Sequence, residues 1–332
     1  MHGNRSMIRR SALNCFTALF VALFAADAGA QKVRVALPDI SMSLIAFLVA
    51  KEKRFYDEEG LEVELIKVSA PVANLALIAG NVEFGSAGAS AIPSILRGAP
   101  LQFLFHTYQK PLYWLYSLPG VPDVKALKGK RIGVSGLGSG PDLLLREVLP
   151  KYGLNAGREV TIVALGAGTA RFASLKAGSV EAAVLSPPGN FMAEDAGFRE
   201  LLSFVKEDMV ELQSAIVVKE GMTQSNPLLV EKFVRGTLKG FFYARENRPG
   251  TVSILARLQG IKEDLAVKTY DASRAAMTAD GTVSEELQKK TLEHAAKRLD
   301  LKEVPLPRRV FDYSIAQKVR GQLAAQGWKP RD

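Results

Sequence analysis

Short apolar runs and segments with a helical period alternate along residues 33–105. Residues 33–37 (VRVAL) are apolar except for Arg34, which predicts a short buried strand, and residues 61–68 begin with the strict alternation of a strand. Between these strands, apolar residues recur at positions 44, 45, 48 and 49, which is the spacing of one helix face. The same patterns predict strands at 33–37, 61–68, 82–86 and 101–105, and helices at 40–53, 72–79 and 90–96. Strands that alternate with helices are typical of a parallel sheet covered by helices.

The same order of elements recurs in the next part of the chain. The patterns predict strands at 131–134, 160–165 and 180–185, with helices at 142–151 and 171–177 between them. Residues 34–43 (RVALPDISMS) align with 131–140 (RIGVSGLGSG) at an offset of 97, and residues 77–88 align with 175–186 at an offset of 98. A nearly constant offset over successive elements favours a duplicated unit over a chance similarity of two α/β segments. We therefore expect two lobes of similar build.

The last third of the chain has a different, mainly helical pattern. Residues 215–219 (AIVVK) predict one short strand, and Pro227 opens a long helix that ends near Asn247. Pro305 and Pro307 indicate a loop before the final helix. Further helical periods cover residues 251–258, 263–277, 284–299 and 312–326. We expect these helices to pack on one of the two lobes.

Residues 1–30 have the features of a secretory signal peptide. Arg5, Arg9 and Arg10 are followed by sixteen residues without a charge, from position 11 to 26, and then by the small residues at 28–30. The uncharged stretch is shorter than the ~20 apolar residues that a membrane span needs. We therefore expect cleavage after Ala30 rather than a membrane anchor, and export of residues 31–332, most simply to the periplasm.

Composition excludes several classes of protein. Hydrophobic residues make up 48% of the chain and charged residues 23%, as in an ordinary globular protein. The one cysteine, Cys15, lies in the leader, so the mature chain has no disulfide and no cysteine metal site, and its two histidines lack metal-ligand spacing. The net charge of +9 includes basic residues scattered along the late helices without interleaved aromatics. We therefore expect no nucleic acid as a partner.

The glycine-rich segment 136–141 (GLGSGP) lacks the pattern of a cofactor site. A dinucleotide fingerprint needs a third glycine where Pro141 stands, and no G-K-[ST] sequence is present for a phosphate-binding loop. Ser135 lacks the second glycine of the hydrolase motif G-x-S-x-G, because position 137 is leucine. We expect neither a cofactor nor a serine nucleophile.

Four short loops follow predicted strands at the positions where open parallel sheets bind ligands. They cover residues 38–43, 87–90, 136–141 and 186–189 and consist mainly of Gly, Ser, Ala and Pro. Such loops let a ligand approach backbone N–H groups at the start of the next helix. Each loop alone is also explained as an ordinary strand-to-helix turn. Four of them at equivalent places in a duplicated frame favour a ligand cleft between the lobes.

Several side chains near these loops have two open interpretations. His106 ends a predicted strand beside an aromatic segment, so it either lines the cleft or is a structural histidine. The aromatic residues, Tyr108 and Trp114 among them, either form a cleft wall or pack a hinge strand. Asp39 either faces the cleft or caps a turn, and Arg171 either reaches the cleft or is solvated in the first turn of a helix. For His106, Asp39 and Arg171 we favour the second interpretation.

Four segments carry a resemblance to a known family. They are AGNVEFGSAG at 79–88, DVKALKGKRIGVSGLGSG at 123–140, LKAGSVEAAV at 175–184, and the helix that begins at Asn226-Pro227. With the leader, they make the chain resemble the substrate-binding components of ABC importers of the nitrate, sulfonate and taurine type. That class includes binders of thiamine-pyrimidine precursors. The resemblance covers essentially the whole mature chain.

The resemblance implies an α/β architecture, the type II periplasmic-binding fold. In this fold two α/β lobes are joined by two crossover strands, and they close by hinge bending on a ligand in the cleft between them. The implied division of the chain is a signal peptide at 1–30, lobe 1 at 31–118 and 216–332, and lobe 2 at 119–215. The crossovers are expected near 113–119 and 214–219.

Members of this family bind their ligands with the loops after the first and third strands of each lobe. Carried over to this sequence, the implied contacts are Ser41, Met42, Ser43, Gly88, Ala89, Ser90, Gly138, Ser139, Gly140, Ser186 and Pro187. Candidate cleft walls are Asp39, His106, Tyr108 and Trp114. The loops carry no obvious Lys or Arg, and Ser-Pro-Pro at 186–188 replaces a more hydroxyl-rich segment. This favours a larger organic ligand with an anionic or polar end over nitrate or a simple sulfonate.

The resemblance therefore implies a periplasmic solute receptor that delivers a small molecule to an ABC permease in the inner membrane. Such a receptor is a monomer by default and makes or breaks no bond. The pyrimidine-synthesising enzymes of the class depend on a histidine and a cysteine cluster, and the mature chain has no cysteine. Two alternatives stay open: an exported enzyme on the same fold with His106 as its acid–base group, and a ligand-sensing protein that docks on a membrane receptor.

Overall fold

A computed structural model describes residues 29–38, 41–207 and 209–331 of the chain. Most of the expected signal peptide therefore lies outside the described residues. Within them, no helix is long and apolar enough to cross a membrane. The strands are β1 (Gln31–Leu37), β2 (Leu61–Lys67), β3 (Phe84–Gly85), β4 (Leu101–His106), β5 (Trp114–Ser117), β6 (Arg131–Val134), β7 (Thr161–Ala164), β8 (Ala182–Leu185), β9 (Arg199–Ser203) and β10 (Ala215–Lys219).

Helices connect and cover these strands, and several begin or end where the sequence indicates. Pro141 and Pro227 stand at the first turns of their helices, and Gly80 ends another helix in the left-handed conformation, with a φ of 76°. The helices are α1 (Ile45–Glu52), α2 (Ala70–Ala79), α3 (Gly88–Leu96), α4 (Gly140–Val148), α5 (Gly168–Lys176), α6 (Gly189–Asp195), α7 (Met222–Ser225), α8 (Pro227–Glu246), α9 (Arg248–Gln259), α10 (Glu263–Arg274), α11 (Glu285–Arg298), α12 (Pro307–Val310) and α13 (Ser314–Ala325).

The strands form two five-stranded sheets of the same plan. Sheet 1 has the order β2-β1-β3-β10-β4, and sheet 2 has the order β7-β6-β8-β5-β9. In each sheet the first three strands are parallel, and the fourth is antiparallel to both of its neighbours. This antiparallel strand is the one that crosses between the lobes, β10 in sheet 1 and β5 in sheet 2. The structure is the type II periplasmic-binding fold expected from the sequence.

We name sheet 1 with its helices lobe 1, and sheet 2 with its helices lobe 2. Sheet membership corrects one predicted boundary, which assigned residues up to 118 to lobe 1. Strand β5 instead pairs with β8 and β9 of sheet 2, with Trp114 opposite Leu185 and Ser203. The chain therefore passes into lobe 2 between His106 and Trp114, several residues before the predicted boundary.

One ion pair occurs at the same place in both lobes. In lobe 1 the backbone N–H of Arg34 donates to Glu83 Oε2 at 2.7 Å, and its Nη2 donates to Glu83 Oε1 at 2.7 Å. In lobe 2 the corresponding two bonds, from Arg131 to Glu181, are both 2.8 Å long. In each case the first strand of the lobe is tied to the segment that precedes its third strand. The duplicated pattern in the sequence therefore corresponds to a duplicated structure.

The helical tail packs on lobe 1, as the sequence predicts. Helix α8 lies along α1, and its two inward glycines let the backbones approach closely. A Cβ atom on Gly240 would lie 2.2 Å from the carbonyl oxygen of Ala46, and one on Gly236 would lie 2.6 Å from the ring of Tyr56. The apolar face of α8, which includes Phe233, completes the core beneath sheet 1. Lobe 2 has smaller cores of its own.

Two elements of lobe 2 and two of the tail are absent from the prediction. Helix α6, strand β9 and the short helix α7 lie in segments that had no assignment, and the short helix α12 lies where Pro305 and Pro307 indicated a loop. The predicted helix 142–151 begins earlier, at Gly140, and ends at Val148, after which a 3-10 turn runs from Leu149 to Tyr152. Proline at the start of this turn cannot donate the hydrogen bond that would continue the α-helix.

Candidate functional site

A cavity of about 350 Å³ lies between the two lobes. Its size lies in the range of small-molecule sites, ~300–1,000 Å³. Its walls come from the loops after the first three strands of each lobe and from the crossover before β10. The lining residues are Pro38, Ser43, Leu44, Lys67, Val68, Ser69, Ala70, Ser86, Ala87, Gly88, Ala89, Ser90, Tyr113, Ser135, Gly136, Ser139, Gly140, Pro141, Gly166, Ala167, Arg171, Ser186, Glu211, Gln213 and Ser214.

Helices from both lobes begin at this cavity. Helix α3 of lobe 1 starts at Gly88, and α4 of lobe 2 starts at Gly140, both of which line the cavity. Helix α5 of lobe 2 starts beside Ala167, which also lines it. The first N–H groups of a helix lack intrahelical partners and carry a partial positive charge. The backbone around the cavity therefore favours groups that accept hydrogen bonds, above all anionic groups.

Seven of the predicted ligand contacts line the cavity: Ser43, Gly88, Ala89, Ser90, Ser139, Gly140 and Ser186. Three of their hydroxyls are engaged within the protein, and the Ser43 hydroxyl bonds that of Ser41 at 2.7 Å. Ser139 Oγ donates to the carbonyl oxygen of Gly136 at 2.6 Å, and Ser90 Oγ donates to the carbonyl oxygen of Ala87 at 3.1 Å. These two serines brace the loops in which they lie, so their side chains shape the cavity through the backbone.

Four predicted contacts do not line the cavity: Ser41, Met42, Gly138 and Pro187. Met42 is buried in the core of lobe 1, and its carbonyl oxygen accepts a hydrogen bond from Tyr108 Oη at 2.7 Å. Gly138 has a φ of 75°, and its N–H donates to Asp142 within the loop. These loops reach the cavity with only part of their length, and residue letters alone do not show which part.

The three candidate cleft walls that the structure describes, His106, Tyr108 and Trp114, do not line the cavity. Tyr108 is fully buried in the core of lobe 1, and Trp114 is half-buried against apolar residues of both lobes. Asp39 lies outside the described residues. Tyr108 and Trp114 therefore pack the core and the crossover, whereas Tyr113 of the same aromatic segment lines the cavity, so each of the two interpretations holds for part of the segment.

His106 is a core residue, which is the structural one of the two interpretations that the sequence left open. Its ring packs against Phe103 and Phe311, with centroid distances of 4.9 and 5.8 Å, and its Nδ1 forms a 2.8 Å hydrogen bond with the Tyr313 hydroxyl. Burial lowers the pKa of His106 to about 3, so the ring is neutral in the folded protein. This side chain stabilises lobe 1 and has no access to the cavity.

Arg171 corrects the expectation of a solvated side chain. It is only 1% exposed and lines the cavity from α5. Its Nη1 donates to the carbonyl oxygen of Gly166 at 2.7 Å. Its position in the first turn of the helix matched a solvated residue equally well, so only the packing of lobe 2 reveals the inward direction. The cavity therefore contains a buried guanidinium that the loop sequences did not indicate.

The crossover before β10 supplies polar residues that the sequence analysis missed. Glu211 and Gln213 line the cavity, are nearly fully buried, and lie close to two helix starts. A Cβ atom on Gly88 would lie 2.5 Å from the carbonyl oxygen of Gln213, and one on Gly140 would lie 1.8 Å from Glu211 Oε1. The two glycines therefore give the crossover room to pass between the lobes. The sequence offered one sign of this site, because Glu211 and Gln213 are polar residues placed just before the predicted buried strand at 215–219.

The loops after the second strands were also missed. Lys67, Val68 and Ser69 line the cavity from lobe 1, and Gly166 and Ala167 line it from lobe 2. The duplicated order of strands could have predicted that these loops reach the cavity, because the carboxyl ends of neighbouring parallel strands lie at one edge of a sheet. In the described parts of the chain, no group of three or more His, Cys, Asp or Glu residues could hold a metal ion.

A sequence model of the family described as NMT1/THI5 like matches residues 41–249. The chain belongs to the NMT1/THI5-like family. The match spans all of sheet 2, every strand of sheet 1 except β1, the crossover that carries Glu211, and helix α8. No curated protein sequence matches the chain.

Solved structures with the same fold include ligand-binding proteins and an enzyme. The alkanesulfonate-binding protein SsuA from Xanthomonas axonopodis pv. citri, bound to MOPS, is 22% identical, with a TM-score of 0.67, covering 85% of this chain and 98% of that chain. The periplasmic nitrate-binding protein NrtA from Synechocystis PCC 6803 is 13% identical, with a TM-score of 0.71 and 89% of each chain covered.

The desulfurization enzyme DSZB is 16% identical, with a TM-score of 0.64, covering 88% of this chain and 99% of that chain. At these identities the likeness establishes the fold shared with this NMT1/THI5-like chain. The function of the chain has to be argued from the cavity itself.

Proposed function

We propose that the protein is an extracytoplasmic solute receptor that binds a small organic molecule in the cavity between its lobes. The observation that carries this proposal is the cavity itself, which both lobes and the crossover line with buried polar groups. A site built from two lobes joined by crossover strands is suited to hinge closure around a ligand. The nitrate-binding and alkanesulfonate-binding proteins of the same fold support this function by analogy.

The proposed ligand is larger than a simple oxyanion and carries an anionic or polar end. Arg171 and the starts of α3, α4 and α5 favour an anionic group. A molecule of water occupies ~30 Å³ in the liquid, and small oxyanions are only slightly larger. A cavity of about 350 Å³ therefore has room for an organic body attached to the anionic group.

The remaining steps of the proposed function rest on the leader sequence and on the resemblance to importer receptors. The leader at 1–30 would direct the chain to the periplasm and be removed after Ala30. The receptor would act as a monomer, and it would pass its ligand to an ABC permease in the inner membrane. An exported enzyme with His106 as its acid–base group has no support, because that ring is buried away from the cavity.

Native mass spectrometry of residues 31–332, purified gently from the periplasm, tests the proposal directly. We expect a small molecule that co-purifies and is released by denaturation. For a chain that emerges bare, a thermal-shift screen of sulfonates, carboxylates, pyrimidines and flavins should raise the melting temperature with at least one class. A bare, well-folded chain with no shift across this panel would contradict the receptor function.

A pair of arginine variants tests the site. Arg171→Met removes the guanidinium that lines the cavity and keeps most of the side-chain volume, so we expect affinity to fall by about tenfold to a hundredfold. Arg146→Met is the matched control, because Arg146 pairs with Asp142 on α4 and does not line the cavity. Equal affinity in the two variants would argue against the assigned site.

A further inference from the structure

Glu211 is a carboxyl group that the fold places in the cavity without a hydrogen-bond partner. Its side chain is only 6% exposed, and neither of its carboxyl oxygens has a partner among the described residues. Gln213 Nε2 and Ser86 Oγ, which belong to residues that line the same cavity, are also buried without a partner. Buried polar groups in native proteins are nearly always satisfied. Gln213 is close enough to Glu211 to oppose the rise in its pKa, but neither group, nor Ser86, has a hydrogen bond of normal geometry, which indicates that a ligand supplies their partners.

The charges around Glu211 come from several elements. Arg171 and Lys67 line the same cavity from α5 and β2. On the far side of Glu211, Arg298 of α11 borders a smaller pocket together with it, but Arg298 Nη1 donates to Glu147 of α4 at 3.0 Å. His294 of α11 also lies 3.7 Å from Glu147. Arg298 is thus partly committed to another carboxylate, and Glu211 makes no ion pair with it.

Burial keeps Glu211 protonated in the empty cavity. Desolvation raises the pKa of this carboxyl to about 8, against the opposing effects of Arg298 and Gln213. The group is therefore mainly neutral at pH 7. A ligand that brings a positive charge would reverse this balance, since an opposite charge at hydrogen-bond distance favours the ionised carboxylate.

We propose that Glu211 binds a cationic nitrogen of the ligand, while Arg171 binds its anionic end, so that the cavity selects an organic zwitterion. An amino sulfonate and an amino carboxylate are the two simplest members of this class. This inference rests on the proposed function and names the ligand class of the same cavity. A carboxyl with two open acceptor oxygens matches a protonated amine, which has three donors and no acceptor.

Binding then releases a proton. The neutral carboxyl of Glu211 meets the ammonium group of the ligand, the carboxyl O–H bond breaks, and the proton leaves to the solvent. The ammonium keeps its own protons and donates one or more of them to the carboxylate. Affinity for an amino compound therefore rises as the pH approaches 8, and it levels off above that value, where Glu211 is already ionised in the empty cavity.

Calorimetry with matched probes tests the role of Glu211. The probes are 3-aminopropanesulfonate against 1-propanesulfonate, and 4-aminobutyrate against butyrate, because each pair differs by one ammonium group. We expect the wild-type protein to prefer an amino compound by about tenfold or more. Titrations in two buffers of different ionisation enthalpy should report release of about one proton per molecule bound at pH 7.

Two variants separate the role of this carboxyl from a general effect of charge. Glu211→Gln keeps the shape of the protonated side chain, so it should fold normally and lose both the preference for the amino compound and the proton release. Glu207→Gln is the matched control, because Glu207 lies on the same crossover but pairs with Lys151 at 3.0 Å on the surface. The control should keep the wild-type preference.

Several outcomes overturn the inference. They are equal or tighter binding of the compounds without an amine, an unchanged preference in Glu211→Gln, and the absence of binding by every amino probe to the folded protein. A molecule that co-purifies with the chain and has no cationic nitrogen would also overturn it, but the receptor function would stand. A failure of this inference is thereby distinguishable from a failure of the proposed function.

Discussion

The two lobes share a frame but differ in what is added to it. Both sheets have the same strand order, and both carry the arginine–glutamate pair at the same place with nearly the same bond lengths. Lobe 1 has the helical tail packed on it, whereas the buried guanidinium of the cavity comes from lobe 2. By the offset of 98, the position of Arg171 corresponds to Ala73, which is buried in the core of lobe 1.

The repeated and the unrepeated parts of the chain therefore have different roles. The repeated part determines where strands end and helices begin, and it thereby positions the cavity. The parts that are not repeated, among them Arg171 and the crossover with Glu211, give that cavity its ionisable side chains. The tail thickens only one lobe, so lobe 1 is the larger body against which lobe 2 can move. The predictions below test this division, starting with the largest expected effect.

The packing of the tail on lobe 1 depends on Gly240. We expect Gly240→Ala to lower the free energy of unfolding by about 3 kcal/mol, because the added methyl group meets backbone atoms of α1, which cannot move aside as a flexible side chain can. Gly321→Ala is the matched control in helix α13, where a Cβ atom meets nothing within 4 Å. The control should be neutral or stabilising by up to ~1 kcal/mol. Denaturant unfolding measures both, and equal stabilities would contradict the close approach.

The buried carboxyl of the crossover makes stability depend on pH. Because the pKa of Glu211 is raised to about 8 in the folded protein, its contribution to stability is fully present below about pH 4.5 and is lost as the pH rises through 8. Relative to wild type, Glu211→Gln should therefore gain on the order of 3 kcal/mol between pH 5 and pH 8. Unfolding curves at a series of pH values measure this difference. The exposed Glu220→Gln is the control, and a parallel gain there would show that the effect is not specific to the cavity.

His106 belongs to the core of lobe 1, so its partner should matter for stability and not for binding. Tyr313→Phe leaves His106 Nδ1 buried without its hydrogen bond, and we expect a loss of about 1–2 kcal/mol in the free energy of unfolding. Ligand affinity in the cavity should be unchanged. If Tyr313→Phe instead lowered ligand affinity and kept the stability of wild type, the result would show that His106 acts in ligand binding.

The repeated ion pair should have the same strength in both lobes. We expect Glu83→Gln and Glu181→Gln each to lower the free energy of unfolding by about 0.5–1 kcal/mol, since both pairs lie partly in solvent. Burial raises the pKa of Glu83, but the bonds from Arg34 lower it overall, and the bond from Arg131 lowers the pKa of Glu181 to about 2. This stabilisation is therefore present above about pH 4.5 and lost as the pH falls toward 2. Clearly unequal losses at pH 7 would contradict a duplicated frame.

The sequence predicts the frame well because periodicity and repeats are local properties. The match of Glu83 with Glu181 was visible as letters at a constant offset, and the structure shows the same bonds in both lobes. The family resemblance also placed the cavity between the lobes and named seven residues that line it.

The chemistry of the cavity was less predictable because it depends on the direction of side chains. Arg171 was expected in solvent but lies buried at the cavity, whereas His106 was a candidate cleft wall but lies in the core. Glu211 occurs in a segment whose role appears only when the crossover passes between the starts of α3 and α4. A one-dimensional pattern specifies which residues are near a strand end, but tertiary packing decides which way each of them points.

The exchange of strands between the lobes has a consequence for the order in which the protein is completed during synthesis. Every strand of sheet 2 lies between Trp114 and Ser203, so this sheet has all of its strands once that stretch has left the ribosome. In sheet 1, β3 and β4 each pair with β10 and not with each other, and β10 is made only after the whole of sheet 2. Sheet 1, whose first strands are synthesised first, is therefore the sheet that is completed last. Its edge strand β4 has no strand partner until Ala215–Lys219 inserts beside it.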